Sequence, residues 1–192
     1  VTLSLNEQLL GIRKLGQTEP FGYCGNIVPL NIDEVTMKKC KVIVENLALH
    51  FNLVGSNGVD LVITKEGIPY VIEVNPRFQG TLECIERVFG INMVDTHVKA
   101  CLRGILPQIK QKTTTFCTRL IFYAPQRLVA PNLNGFKQVR DIPLPGVIIE
   151  KAEPVCSIVA EGRSRNSALD EAKKIARLIY ELASPKINDK SL

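Results

Sequence analysis

Several features that define large classes of proteins are missing from this sequence of 192 residues. No apolar run approaches the roughly 18 residues that a membrane span needs, and the start of the chain lacks the basic, apolar and small-residue pattern of a secretory signal. There is no internal repeat and no low-complexity tract. Hydrophobic residues make up 45% and charged residues 22% of the chain, which is typical of globular proteins. This composition excludes a wholly disordered chain, a collagen and a coiled coil, and the length allows one domain or two small ones.

A dense block of basic residues is also missing. The 24 Lys and Arg residues are dispersed among 19 Asp and Glu residues, and the formal net charge is +5. A surface that binds nucleic acid clusters its basic residues. We therefore expect neither a nucleic-acid nor a membrane partner, and the mild positive excess is more consistent with a small anionic ligand.

The six cysteines never form a CxxC pair, and neighbouring ones lie 16 to 44 residues apart. They are too scattered for a zinc site and too sparse for a fold that disulfides hold together. We interpret them as reduced, mostly buried thiols of a cytoplasmic protein. They are Cys24, Cys40, Cys84, Cys101, Cys117 and Cys156.

The hydrophobic pattern predicts an α+β fold. Strands are expected over residues 1–10, 59–64, 69–75, 116–123 and 155–160, and around 146–151. Helices are expected from a capping box at Asn31 and Glu34 to about Phe51, and over residues 81–89, 93–102 and 166–182. The polar stretch 108–115 is interpreted as a linker between domains at 1–107 and 116–184, and residues 185–192 as a tail.

The two strands at 59–64 and 69–75 predict an antiparallel hairpin around Glu66 and Gly67. A loop of two or four residues puts Asp60 directly across from Glu73, with Asn75 two residues further along the same face. A loop of three residues with a bulge would shift the pairing by one residue and could separate the two acids. The opposite face is expected to be an ordinary buried one, made by Val59, Leu61, Ile63, Tyr70, Ile72 and Val74.

Two directly opposed carboxylates repel each other by up to about 1 kcal/mol, which favours a cation between them. Oxygen ligands from Asp60, Glu73 and Asn75 suit Mg²⁺ or Mn²⁺, and the absence of a nearby His or Cys argues against zinc. Arg77 can reach an anion at the same place with its planar guanidinium group. The structural alternative is a solvated hairpin face with scattered acids, and for Asp60 alone it is the better explanation.

Asp60 followed by Glu73-Val-Asn75-Pro-Arg77 resembles the metal-binding strand pair of the ATP-grasp enzymes, among them carbamoyl-phosphate synthetase, biotin carboxylase and the D-alanine–D-alanine ligases. Residues 55–80 are most similar to the archaeal, biotin-carboxylase-related branch. The resemblance covers most of residues 1–107 and implies the C-terminal subdomain of an ATP-grasp domain, an antiparallel sheet with helices. Residues 116–184 resemble the small α+β domain that follows it in biotin carboxylase. Gly58 departs from some of these ligases, which have an arginine there.

The resemblance implies an ATP-dependent ligase, with carbon–nitrogen bond formation the simplest case. ATP would phosphorylate a substrate carboxylate, and an amine or similar nucleophile would capture the acyl phosphate. Asp60, Glu73 and Asn75 would be the metal ligands. Glu73, Asn75 and Arg77 would face the nucleotide, and Arg77 would be the catalytic residue.

The same resemblance predicts the partners: small-molecule carboxylate and amine substrates and an N-terminal part of the same protein upstream of Val1. A second copy of the chain is a further candidate partner. Because the family's phosphate-covering loop and nucleotide-binding lysines lie upstream of anything resembling Val1, residues 1–192 alone are expected to be inactive. Two other hypotheses stay open. One is a non-catalytic module that senses a metal or a nucleotide, and the other is a structural α+β interaction domain.

Overall fold

The structure is a computed structural model and describes residues 1–109 and 113–183. The predicted tail at 185–192 and the middle of the predicted linker lie outside the described residues. The strands are β1 (Glu7–Leu10), β2 (Tyr23–Val28), β3 (Gly58–Ile63), β4 (Pro69–Asn75), β5 (Phe116–Tyr123), β6 (Leu128–Val129), β7 (Val139–Arg140), β8 (Ile148–Ile149) and β9 (Pro154–Gly162). The helices are α1 (Glu34–His50), α2 (Leu82–Phe89), α3 (Met93–Arg103) and α4 (Arg165–Ala183).

These elements form two compact units, and the chain passes between them more than once. The first unit combines Val1–Glu7 with Val28–Thr114, and the second combines Gln8–Ile27 with the chain from Thr115 onward. Residues 8–27, which the predicted division assigns to the first domain, therefore group with the second unit. The predicted division into 1–107 and 116–184 itself stays a prediction.

The second unit contains a five-stranded sheet in the order β1-β2-β5-β9-β7. Its longest ladder joins β5 and β9, which run antiparallel from the pair Phe116 and Gly162 to the pair Tyr123 and Pro154. Helix α4 packs against both strands. Its buried residues lie on one face of the helix, and Leu182 near its end is exposed. They are Ala168, Leu169, Ala172, Ile175, Ala176 and Ile179.

The first unit contains helices α1, α2 and α3 and the hairpin of β3 and β4, which is a two-stranded sheet of its own. The N-cap of helix α1 lies two residues later than the predicted one, Asn31. It is Asp33, whose carboxylate accepts the backbone N–H of Thr36 at 2.9 Å. This hydrogen bond lowers the pKa of Asp33 below its ordinary value. The prediction of a capping box at Asn31 and Glu34 was thus wrong.

The opening strand is shorter than predicted. Only Glu7–Leu10 of residues 1–10 is a strand, and β2 (Tyr23–Val28) is not among the predicted strands. The helices predicted over 81–89, 93–102 and 166–182 are confirmed to within one residue at each end. Within the described ranges, no helix combines the length and the apolar character that crossing a membrane requires.

Candidate functional site

The hairpin places Asp60 and Glu73 directly across from each other, as predicted, but by a different route. The turn has three residues between Thr64 and Ile68, whose backbone groups are hydrogen-bonded at 3.0 Å. Gly67 has a φ of +71° there, a conformation that glycine adopts without strain. Such a turn by itself would pair Asp60 with Ile72. A register shift between Asp60 and Leu61 leaves Ile72 without an opposite residue and restores the pairing of the two acids.

Three of the predicted site residues lie on one face of this hairpin. Asn75 is two residues beyond Glu73 in an uninterrupted part of the ladder, and it faces Gly58 across the sheet. Asp60 is half-buried, Glu73 is exposed and Asn75 is 9% exposed. The structure therefore places two carboxylates and one amide on the same face of the strand pair.

The prediction that one face of the hairpin is fully buried was wrong. Tyr70 pairs with Val62 and lies on the same side as Asp60, because the bulge reverses the alternation of β4 beyond Ile72. Ile72 itself is 65% exposed and Tyr70 is 56% exposed. Of the six residues predicted for this face, Val59, Leu61, Ile63 and Val74 are half-buried, and Tyr70 and Ile72 are exposed.

Gln79 organises the chain where it leaves β4, a role that the sequence pattern did not reveal. Its side-chain amide donates to the carbonyl of Arg77 at 2.7 Å and to that of Asn75 at 3.2 Å. The amide lies against Gly58, where a Cβ atom would come within 2.3 Å of Gln79 Cδ. The absence of a side chain at Gly58 therefore leaves the space that the Gln79 side chain occupies. Some of the ligases that the chain resembles have an arginine at this position.

Arg77 stands at the end of this segment with its side chain exposed. One terminal nitrogen donates to the backbone oxygen of Phe78 at 3.2 Å. The remaining N–H groups of the guanidinium point to no hydrogen-bond acceptor among the described residues. Arg77 can therefore present several donors to an anion near the acids.

The donor set fits a hard divalent cation. Carboxylate and amide oxygens are the ligands that Mg²⁺ and Mn²⁺ prefer, and two or three of them leave positions for water and phosphate oxygens. In the parts of the chain that the structure describes, no three or more His, Cys, Asp or Glu residues cluster in a way that could hold a metal. The candidate oxygen donors on this face are Asp60, Glu73 and Asn75.

Comparison with known proteins gives similarity to one family of enzymes. Residues 1–81 match the family model described as an ATP-grasp domain. The resemblance of this part of the chain to the ATP-grasp enzymes is therefore confirmed. The α+β architecture is that of an ATP-grasp subdomain.

Three of the solved structures to which the chain is similar illustrate this fold. The chain is similar to phosphoribosylglycinamide synthetase from Anaerococcus prevotii, with 15% identity and a TM-score of 0.70 over 94% of this chain and 48% of that one. L-amino acid ligase from Bacillus licheniformis has 16% identity and a TM-score of 0.66, and the match covers 88% of this chain and 45% of that one. Biotin carboxylase from Campylobacter jejuni has 17% identity and a TM-score of 0.64, and the match covers 93% of this chain and 45% of that one.

A sequence relative is an uncharacterized protein of Methanocaldococcus jannaschii, which is 28% identical over 160 residues. The match covers 83% of this chain and 37% of that protein. The chain thus spans less than half the length of the proteins to which it is similar.

Proposed function

We propose that this chain supplies the metal-binding side of the active site of an ATP-dependent ligase. The ligase would activate a small-molecule carboxylate as an acyl phosphate and transfer the acyl group to an amine or similar nucleophile. The observation that supports this proposal is the pairing of Asp60 with Glu73 on a face that also carries Asn75 and ends at Arg77.

Asp60, Glu73 and Asn75 would hold Mg²⁺ or Mn²⁺. When bound, such an ion neutralises the charge of the ATP phosphates and polarises the phosphoryl group for transfer. A bound cation would also offset the repulsion between the two acids, because like charges directly opposed on neighbouring strands are destabilising. Exposed Glu73 can reach a ligand from solvent, whereas buried Asn75 is held in place by the strand.

Arg77 would bind the transferring phosphoryl group. Its guanidinium is always charged and offers donors in a planar fork that matches phosphate oxygens. Gln79 keeps the backbone at Arg77 and Asn75 in one arrangement through its two hydrogen bonds. The hairpin and the segment that follows it therefore present both the cation ligands and the anion ligand from one short stretch of sequence.

The test uses the whole gene product with a panel of carboxylates, ATP, Mg²⁺ and hydroxylamine, which converts an acyl phosphate into a stable hydroxamate. The variants are Asp60→Asn, Glu73→Gln and Asn75→Ala. The control is Glu66→Gln, which removes an exposed acid from the turn of the same hairpin. We expect Glu73→Gln to lower ADP and hydroxamate formation by at least about 100-fold, because a metal contributes several kcal/mol to the barrier.

The outcomes separate the three hypotheses. ADP and hydroxamate that depend on a carboxylate and on Glu73 support the ligase. Mg²⁺-linked nucleotide binding without ADP would instead indicate a sensing module. If neither turnover nor binding is seen, and the substitutions leave stability unchanged within about 0.5 kcal/mol, the hairpin acids are only a solvated edge and the proposal is wrong.

A further inference from the structure

His97 contacts both ends of the β3–β4 hairpin. Its Nδ1 accepts the backbone N–H of Ser56 at 2.9 Å, two residues before β3 begins. Its ring packs against the ring of Phe78, with centroids 4.8 Å apart and planes inclined by 48°. Phe78 directly follows Arg77. One side chain on α3 thus joins the segment that enters the hairpin to the segment that leaves it.

The orientation of the ring is defined by its two nitrogens. Because Nδ1 accepts a hydrogen bond, the neutral imidazole carries its proton on Nε2. Nε2 lies 3.6 Å from the sulfur of Cys101, one turn further along α3. The imidazole therefore has a contact at each nitrogen, and its ring also packs against Phe78.

The loop before β3 is shaped around this ring. Gly55 has a φ of +75°, and a Cβ atom there would lie 2.4 Å from His97 Nδ1 and 2.9 Å from the sulfur of Cys101. Only glycine gives the backbone both this conformation and this close approach to the ring. The position of Ser56, and with it the start of β3, consequently depends on His97.

We propose that His97 is a positioning residue for the site formed by Asp60, Glu73 and Asn75. An isolated two-stranded hairpin is marginally stable in water, and much of the surface of this hairpin is exposed. Fixing its two open ends against α3 holds Asp60 on one strand at a constant separation from Glu73 and Asn75 on the other. This inference rests on the proposed function, because it assigns His97 an effect on the metal affinity of that site.

The test compares three substitutions of His97 in the whole gene product. His97→Asn keeps an acceptor near the place of Nδ1 but removes the ring, His97→Phe keeps a ring against Phe78 but removes the acceptor, and His97→Ala removes both. The matched control is His50→Ala, an exposed histidine at the end of α1. Two quantities are measured: Mn²⁺ affinity by electron paramagnetic resonance in the presence of ADP, and hydrogen exchange at the Ser56 amide.

We expect His97→Ala to weaken Mn²⁺ binding by about 10-fold or more, since groups that orient metal ligands typically contribute 10- to 100-fold. His97→Asn should restore part of the affinity and should protect the Ser56 amide from exchange. His50→Ala should change neither quantity. His97→Asn and His97→Phe provide folded alternatives if His97→Ala does not fold.

Two results would overturn the inference, and they are distinguishable. If Ser56 exchanges faster in His97→Ala but Mn²⁺ affinity is unchanged, while Asp60→Asn and Glu73→Gln still abolish it, His97 has a structural role only and the proposed function stands. If Asp60→Asn and Glu73→Gln leave Mn²⁺ affinity unchanged, the proposed metal site is wrong, and the positioning role of His97 is wrong with it.

Discussion

Asp60 lies directly across from Glu73, although Leu61, the next residue of β3, pairs with Val71 and not with Ile72. The three-residue turn and the bulge at Ile72 each shift the register by one residue, in opposite senses. Because the two shifts cancel, the acids meet. Either irregularity alone would pair Asp60 with an apolar side chain.

This register can be tested with introduced cysteines. Opposed residues of an antiparallel pair have Cα atoms about 4.5 or 5.5 Å apart, within the range that a disulfide spans. In a Cys101→Ser background, Asp60→Cys with Glu73→Cys is therefore expected to form a disulfide under mild oxidation. The product is detected by mass spectrometry before and after reduction. The control pair is Asp60→Cys with Ile72→Cys, and a bond in this pair alone would show that the turn sets the register without the bulge.

Gly58 and Gln79 should be energetically coupled. Gln79→Ala removes two hydrogen bonds and is expected to cost about 1–2 kcal/mol in the free energy of unfolding. Gly58→Ala should cost a similar amount, because the new Cβ expels the Gln79 amide from its position 2.3 Å away. The double variant should then be little worse than either single one, as measured by urea denaturation. Additive losses would mean that Gly58 and Gln79 act independently.

Cys156 makes stability depend on pH in the alkaline range. Burial, with a smaller contribution from the charge of Asp141, raises the pKa of Cys156 from 9.0 to about 12. Between these values the unfolded thiol loses its proton while the folded one keeps it, so the free energy of unfolding falls as pH rises. From pH 8 to pH 10, wild type should lose about 1 kcal/mol more than Cys156→Ala.

The comparison with Cys156→Ala isolates this effect, because other alkaline titrations are common to both proteins and the lost packing is the same at each pH. Urea denaturation at the two pH values gives the four free energies of unfolding that are needed. Parallel pH profiles for the two proteins would contradict a strongly raised pKa in the folded state.

Local sequence patterns predicted most of the helices and strands. Helices α2, α3 and α4 each have apolar residues at helical spacing and end near a polar or glycine-rich stretch, so their limits were found within a residue. The start of α1 was missed because Asn31 and Asp33 are both good N-cap residues. Only the hydrogen bond from Thr36 distinguishes them.

The candidate site was predicted only in part. Asp60, Glu73, Asn75 and Arg77 were proposed from residue type and spacing, and the structure places Asp60, Glu73 and Asn75 on one face of the hairpin. Gln79 was not recognised as an organising residue, because its bonds are to backbone carbonyls that no side-chain pattern reveals. The positioning role of His97 was missed because its partners Ser56 and Phe78 lie outside α3 and are distant from it in sequence.

Residue type and spacing alone predicted the candidate chemistry of this protein, which is a set of oxygen donors on one strand pair with an arginine just beyond it. These properties are local, so a linear sequence contains them. The bulge that completes the register, the exposure of Tyr70 and Ile72, and the grouping of residues 8–27 with the second unit were decided by the tertiary structure. The physical reason is that register, burial and packing depend on contacts between segments far apart in the chain, whose free energies local periodicity does not encode.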